Sequence, residues 1–290
     1  MKKIAFIINP KSGHGKHQDR AALIRRYIPP GIDYELFIWE KAGQKEELLQ
    51  KAIESRCTII AAAGGDGTVN SVASALCGSE KTLAIIPFGS GNGLARHLQI
   101  PLQTQKALQL LATGIPKPID ACFLNDKPFF CTAGVGFDAH IGKLFAQSRL
   151  RGMISYAAMT LNEVFTYPSE NYKLTVDGQC TETKAFLITF ANAAQYGGNA
   201  YIAPLADISD GLIDITIIPR FPLLLGLPIV YRMFAKNLQH SPHVKMLRGK
   251  HIILERETAG PVHCDGEPDV MGTRLELSIR PGALQVLVPA

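Results

Sequence analysis

The sequence predicts an α/β chain in two parts, an N-terminal doubly wound parallel-sheet domain and a C-terminal, mainly antiparallel β-sandwich domain. Three observations carry this expectation. Up to about residue 115, short apolar runs alternate with segments of helical periodicity, a pattern met by parallel strands with helices on both faces. Three of those strands run into a glycine-rich loop that opens the next helix. After Pro116-Lys117-Pro118 the helices thin out, and short strands separated by tight-turn dipeptides take over.

In order, Lys3–Ile8 is an apolar run and predicts a strand. Residues 17–28 set Leu23, Ile24, Tyr27 and Ile28 at helical spacing. Residues 34–39 predict a second strand, and residues 45–55 a helix with Leu48, Leu49, Ala52 and Ile53 on one face. Residues 58–63 predict a third strand, after which Val69, Val72, Ala73 and Leu76 recur at i, i+3, i+4 and i+7. A fourth strand is expected over 83–87, and Thr104 is placed to cap a helix that stops before Gly114. Beyond the prolines, 119–124 and 128–133 flank Asn125-Asp126 as strand, turn, strand. A second hairpin pairs 172–176 with 184–190 across Asp177-Gly178, and strands are expected over 212–218, 251–255, 274–279 and 284–288. One helical stretch, roughly 141–166, interrupts them. The expected domains are 1–124 and 125–282, with the tail 283–290 a candidate to return to the first.

Composition narrows the function. A chain of 290 residues, 47% apolar and 19% charged, is long and greasy enough to bury a core. Its formal charge of +5 suits an anionic ligand or membrane surface and falls short of a nucleic-acid footprint, so no nucleic-acid partner is expected. The six cysteines are scattered without a CxxC pair, which reads as a reducing cytoplasm with neither disulfide framework nor zinc site. The N-terminal apolar run stops after five residues at Asn9-Pro10, too short for a signal peptide. The longest greasy run, 221–231, is far below the ~20 residues of a spanning helix. The expected location is cytoplasmic.

The glycine loops hold the chemistry. They are NPKSGHG over 9–15, GGDGTVN over 64–70 and GSGNG over 89–93, each at the carboxyl end of its strand, where open α/β sheets bind ligands. Glycine lets backbone approach phosphate, and the following helix offers unpaired N–H groups at its positive end. Lys11, Ser12, Thr68, Asn70 and Ser90 add donors; Asp66 is the exception, a carboxylate that would repel phosphate unless it holds a metal or takes a proton. A single loop of this kind would be an ordinary strand–helix turn. Three on one sheet predict a phosphate site. Neither GxxxxGK[ST] nor a GxGxxG opening the first helix is present.

NPKSG at 9–13, GGDGTVN at 64–70 and PFGSGNGLA at 87–95, followed by GVGFDAH at 134–140, the stretch from Ala203 to Gly211 and DGEP at 265–268, resemble the diacylglycerol-kinase catalytic-domain family, which includes bacterial lipid kinases, sphingosine kinases and ceramide kinases. The resemblance spans nearly the whole chain. It implies two domains with ATP between them, Mg²⁺ dependence and a lipid alcohol as acceptor. It assigns nucleotide contacts to Asn9, Lys11, Ser12, Gly13, His14, Gly15, Gly64, Gly65, Asp66, Gly67, Thr68, Val69, Asn70 and Ser90. It makes Asp66 the family's essential aspartate, base or metal partner, and Glu267 a proton acceptor in catalysis. It places a structural metal at Asp207, Asp210 and Leu212, partly through backbone carbonyls.

Two positions depart from the bacterial pattern. Asn92-Gly93 stands where bacterial members usually have Asn-Asp, and looks more like the sphingosine and ceramide kinases; Trp39 replaces a nucleotide-contacting Thr. From the residues alone, Asp265 to Pro268 reads as an exposed turn and only the resemblance promotes Glu267, while Asp120 is equally a metal-supporting or a strand-edge carboxylate. Residues 229–240 set Arg232, Lys236 and His240 on one helical edge, read either as a peripheral membrane contact or as a domain-packing helix. A second copy of the chain is a candidate partner. The competing functions are a NAD kinase, which shares GGDGT, and a non-catalytic nucleotide-gated lipid-binding regulator.

Overall fold

The computed structural model describes residues 3–10, 19–40, 43–147, 163–164 and 166–290. The chain divides into two units, Met1–Ile119 with Gly282–Ala290, and Asp120–Pro281. The boundary falls within one strand, β5 (Ile115–Leu124), rather than at the 124–125 turn, because that strand runs unbroken past the prolines.

In the first unit the order is β1 (Lys3–Ile8), α1 (Arg20–Tyr27), β2 (Asp33–Ile38), α2 (Lys45–Glu54), β3 (Ile59–Gly64), α3 (Asp66–Leu76), β4 (Thr82–Pro87), α4 (Gly93–His97) and α5 (Thr104–Thr113). The strands lie parallel in the order β2-β1-β3-β4, with the end of β16 (Arg274–Val288) added beside β4. β3 reads IIAAAG and β4 TLAIIP because both of their faces are covered. Phe6, Ile8, Ala61 and Ile86 pack on one face against Ala21 and Ile24 of α1 and Ala107, Leu108 and Leu111 of α5, joined by Leu287 from the chain's end. Helices α2 and α3, which touch each other, bury Leu49, Ala52, Val72 and Leu76. α1 is capped by Asp19, whose carboxylate accepts Ala22 N–H (3.0 Å); residues 17 and 18 of the expected helix lie outside the described residues. Thr104 is the first residue of α5 and makes no cap bond.

The second unit is a sandwich. It comprises β6 (Lys127–Phe129), β7 (Thr132–Gly136), α6 (Phe137–Gln147), β8 (Glu170–Val176), β9 (Gln179–Ala185), β10 (Leu187–Ala191), β11 (Ile213–Ile218), α7 (Leu223–Phe234), a 3₁₀ turn (Leu238–His240), β12 (Lys245–Gly249), β13 (His251–Arg256), β14 (Gly260–Cys264) and β15 (Glu267–Met271). One layer runs β12-β11-β10-β7-β14-β15; the other runs from β16 through β13 and β8 to β9, with β5 pairing β16 and β6. The neighbours along both layers, and β5 with β6, are antiparallel, so inward residues line up across strands. Leu174, Leu254 and Leu275 make one such row, and Val176, Ile252 and Leu277 the next; both meet Ile188, Phe190, Ile215 and Val262 of the facing layer.

Several elements differ from the sequence reading. Asp177 (φ 46°) and Gly178 (φ 86°) do form a primed turn, but the returning strand starts at once, at Gln179. The run 184–190 is cut at Phe186, and its two pieces enter different layers. The helix expected over 141–166 begins earlier, at Phe137, and most of its later part lies outside the described residues. Most consequential, α7 starts at Leu223, runs through Pro228 and ends at Phe234. Lys236 then takes a left-handed conformation (φ 55°) and His240 belongs to the 3₁₀ turn, so Arg232, Lys236 and His240 share no helical face.

Candidate active site

β3 and β4 are neighbours, and their carboxyl ends open into consecutive glycine loops. Gly65 is the extended residue before α3 (φ −91°), and its carbonyl accepts the N–H of Thr68 and Val69, both at 3.0 Å. Gly64 has no room for a side chain, since a Cβ would stand 2.4 Å from Thr68 Oγ1. That buried hydroxyl accepts Asn9 Nδ2–H at 3.2 Å, so the end of β1 is tied to the first turn of α3. Arg20 reinforces the tie: its guanidinium donates to the Asn9 carbonyl and lies 4.8 Å over the Phe88 ring.

The loop after β4 is closed by its own asparagine. Asn92 sits in the left-handed region (φ 50°, ψ 47°), which Asn tolerates better than most residues. Its Oδ1 accepts Gly89 N–H (3.0 Å) and its Nδ2 donates to the Gly89 carbonyl (2.7 Å). One carboxylate then joins the two loops. Asp66 Oδ2 accepts the N–H of Asn92 (2.9 Å), and Oδ1 that of Gly93 (2.8 Å). The approach is close: a Cβ at Gly89 would stand 2.8 Å from Gly65 Cα, and one at Gly91 2.9 Å from Asp66 Oδ2.

The result is a rigid edge of backbone. The start of α3 carries the positive end of its dipole, an environment that favours an anion. Each Asp66 oxygen accepts one backbone N–H and has lone-pair capacity for another partner, so the carboxylate is held in place without being saturated. Of the predicted contacts, Asn9, Gly64, Gly65, Asp66, Gly67 and Thr68 gather here, and Ser90 is exposed on the adjacent loop. Val69 is buried, so its side chain serves the core, and Asn70 Oδ1 accepts Ser74 Oγ–H (3.4 Å). Lys11, Ser12, Gly13, His14 and Gly15 lie outside the described residues. The sequence reading missed Arg20, whose only signal was a cation opening the helix after the first loop.

In the second unit Asp265 and Gly266 (φ 49° and 80°) form the two-residue turn between β14 and β15. The Asp265 carboxylate accepts three N–H groups, from Phe130 (2.9 Å), Cys131 (2.8 Å) and Thr132 (3.0 Å), and its own N–H donates to the Thr132 carbonyl (2.7 Å). It anchors the hairpin. Glu267 follows as the exposed first residue of β15. Asp120 is buried rather than at an open strand edge, and its Oδ2 accepts Gly211 N–H at 2.7 Å. Its backbone N–H donates to the Ile208 carbonyl (2.8 Å), so it fastens the loop that carries Asp207 and Asp210. Asp207 Oδ1 accepts from Ser209 N–H (3.0 Å) and Oγ–H (2.8 Å), and Asp210 Oδ1 from Leu212 N–H (3.0 Å). Among the described residues no group of three or more His, Cys, Asp or Glu side chains is placed to hold a metal. A cation at this loop would complete its shell with backbone carbonyls and water, a demand met by hard ions such as Mg²⁺ or Ca²⁺.

A further polar cluster went unread in the sequence. Asp138, at the start of α6, takes Thr189 Oγ1–H (3.0 Å) and Tyr196 O–H (3.0 Å) on Oδ2, with His263 Nε2 at 3.2 Å from the same oxygen. Gly134 makes room, since a Cβ there would stand 2.4 Å from that oxygen. Only the GVGFDAH motif marked Asp138; its partners come from β10, β14 and a connecting segment.

Comparison with known proteins places these features. Residues 3–124 match the diacylglycerol kinase catalytic domain, and residues 131–288 the YegS C-terminal NAD kinase beta sandwich-like domain. The chain is 31% identical to the "Diacylglycerol kinase" of Mycobacterium tuberculosis over 99% of this chain and 95% of that one. It is 29% identical to the "Probable lipid kinase YegS-like" of Chromohalobacter salexigens over 87% and 82%. A solved structure of "a putative diacylglycerol kinase" from Bacillus anthracis superposes with a TM-score of 0.80 at 26% identity, covering 99% of this chain and 97% of that one. No helix of the described residues is long and apolar enough to cross a membrane. Matched from end to end by the two domain models in their proper order, the chain belongs to the diacylglycerol kinase family of YegS-like lipid kinases, and it is a kinase.

Proposed function

We propose that this kinase transfers the γ-phosphoryl group of ATP to a hydroxyl of a membrane lipid, such as a diacylglycerol or a sphingoid- or ceramide-type lipid. The observation that carries the reading is the Asp66 bridge. By accepting the N–H groups of Asn92 and Gly93 it locks two phosphate-type loops and a carboxylate into one constellation. Phosphoryl transfer needs that kind of positioning and charge stabilisation more than covalent chemistry. In this reading Lys11 to Gly15, Gly64 to Asn70 and Ser90 meet the nucleotide. Asp66 is the residue that would hold Mg²⁺, which when bound neutralises charge on the phosphates. Glu267 accepts the proton of the lipid hydroxyl, and the 207–212 loop holds a structural cation through Asp207, Asp210 and the Leu212 carbonyl. The relatives named as diacylglycerol kinase and probable lipid kinase support the lipid acceptor.

The test is an acceptor screen with radiolabelled ATP against diacylglycerol, sphingosine, ceramide and phosphatidylglycerol in mixed micelles, with and without Mg²⁺, and with NAD as a control. Labelled lipid is expected from the wild type with Mg²⁺, and none from Asp66→Asn. Transfer to NAD alone would overturn the reading.

A further inference from the structure

Helix α7 turns an apolar face away from the protein. Ile229 is 3% exposed and, with Met233, packs into the cluster around Phe186 and Leu238. The opposite side of the helix does the reverse: Leu227 is 79% exposed, Val230 49%, Tyr231 70% and Phe234 52%. These four stand at i, i+3, i+4 and i+7, so they form one stripe, about 10 Å long at the helical rise. They are half of the eight large hydrophobics that the described residues expose. Sporadic exposed Leu or Val needs no explanation, but four on one helical stripe do.

Along the chain, the charge flanking the stripe has one sign. From residue 215 through 254 the sequence carries six Lys or Arg and no Asp or Glu. Arg220 lies just before α7 and Lys236 just after it, both exposed, so a cation brackets the stripe at each end. Lys236 is fixed there by its left-handed backbone and by the Tyr201 ring, 4.5 Å from its ammonium. Arg248, one of the six, is engaged by Asp214 (2.8 Å) and is not available to a ligand at the stripe. Self-association through the stripe would set the same cations of two copies against each other, which an isologous contact cannot avoid. An anionic bilayer matches both features at once, apolar side chains for the acyl boundary and cations for headgroup phosphates.

We propose that the outer face of α7 is a membrane-docking surface: Leu227, Val230, Tyr231 and Phe234 enter the interface of an anionic bilayer, and Arg220 and Lys236 rest on its phosphates. This extends the lipid-kinase reading, and rests on it, by naming where the protein meets the bilayer that contains its acceptor. The contact differs from the basic edge expected at Arg232, Lys236 and His240, which the end of α7 at Phe234 rules out.

The experiment is co-sedimentation of the full chain, without nucleotide, on vesicles of phosphatidylcholine alone or mixed with phosphatidylglycerol. Wild type is expected to partition onto the anionic vesicles and to be released by salt. Replacing Leu227, Tyr231 and Phe234 together by serine should cut partitioning about tenfold per side chain. Arg220→Ser with Lys236→Ser should cost about fivefold per cation, on anionic vesicles only. These side chains are exposed, so melting temperatures should stay at the wild-type value; if the triple variant melts early, Leu227→Gln alone carries the test. Unchanged partitioning of the serine variant overturns the proposal. So does a wild-type dimer, seen by light scattering, that the same variant converts to monomer while vesicle binding is unaffected. A chain that binds vesicles but phosphorylates no lipid would sink the functional reading and leave the docking surface standing; a kinase active on dispersed lipid but indifferent to the stripe would do the opposite.

Discussion

Asp66→Asn tests the bridge between the loops. The carboxylate accepts the N–H groups of Asn92 and Gly93, both buried, at 2.9 and 2.8 Å. Asparagine keeps one acceptor oxygen and turns an NH₂ toward the other N–H, so one bond is lost and a buried donor is stranded. A hydrogen bond to a charged group contributes about 1.5–3 kcal/mol, and an unsatisfied buried donor costs about 1–3 kcal/mol. We expect the first unit to lose about 2–4 kcal/mol. At about 2–4 °C per kcal/mol for domains of this size, that is a fall in its melting temperature of roughly 5–15 °C. The assay is differential scanning calorimetry of the full chain beside direct ATP titration, with Asp66→Ala, which removes both acceptors, expected to fall further. An Asp66→Asn protein that melts with the wild type while its turnover vanishes would refute the structural half of the argument and leave Asp66 a purely chemical group.

Other outcomes follow from the same geometry. Gly89→Ala puts a Cβ 2.8 Å from both Gly65 Cα and Asn92 Oδ1, so ATP affinity should fall at least tenfold by titration calorimetry, without loss of the second unit's calorimetric transition. Glu267→Gln should lower turnover ~10²–10⁴-fold with ATP binding and melting temperature unchanged, because the side chain is exposed; turnover within a few-fold of wild type would leave Glu267 a turn residue. Asp265→Ala should instead destabilise the second unit, since three backbone N–H groups lose their acceptor. Burial pushes the Cys264 thiol up to about 12 and Cys122 well above its usual value, so at pH 8 both stay protonated and inert to iodoacetamide in the folded chain, while exposed Cys180 is labelled, as mass spectrometry of peptides would show.

The parallel unit was legible in the sequence because both of its signals are local. β3 and β4 are unbroken apolar runs, and α2, α3 and α5 repeat apolar residues at helical spacing. The five-residue α4 was not legible, being too short to show a period. Nor was the break at Phe186, since an apolar run looks the same whether it stays in one layer or crosses to the other. The sequence reading set a helical edge only from residue 229, yet α7 starts at Leu223 and runs through Pro228; losing one N–H and meeting one carbonyl is offset by packing at Ile229 and Met233. For the site, each glycine loop announced itself. That Asp66 clasps Asn92 and Gly93, or that Asp138 gathers Thr189, Tyr196 and His263, depends on long-range contacts for which local pattern holds no record.

β16 has a consequence for how the protein is born. Its final residues pair with β4, Val286 opposite Leu83, and Leu287 enters the core of the first unit, although β4 was synthesised just over two hundred residues earlier. At ribosomal speeds of about 5–20 residues per second the edge of β4 waits some 10–40 s for its partner. During that interval the nascent first unit presents an unpaired, apolar edge strand, a template for the wrong neighbour. A chain truncated before Gly282 would make that state permanent, so residues 282–290 decide whether the first unit is finished or becomes a substrate for chaperones and proteases.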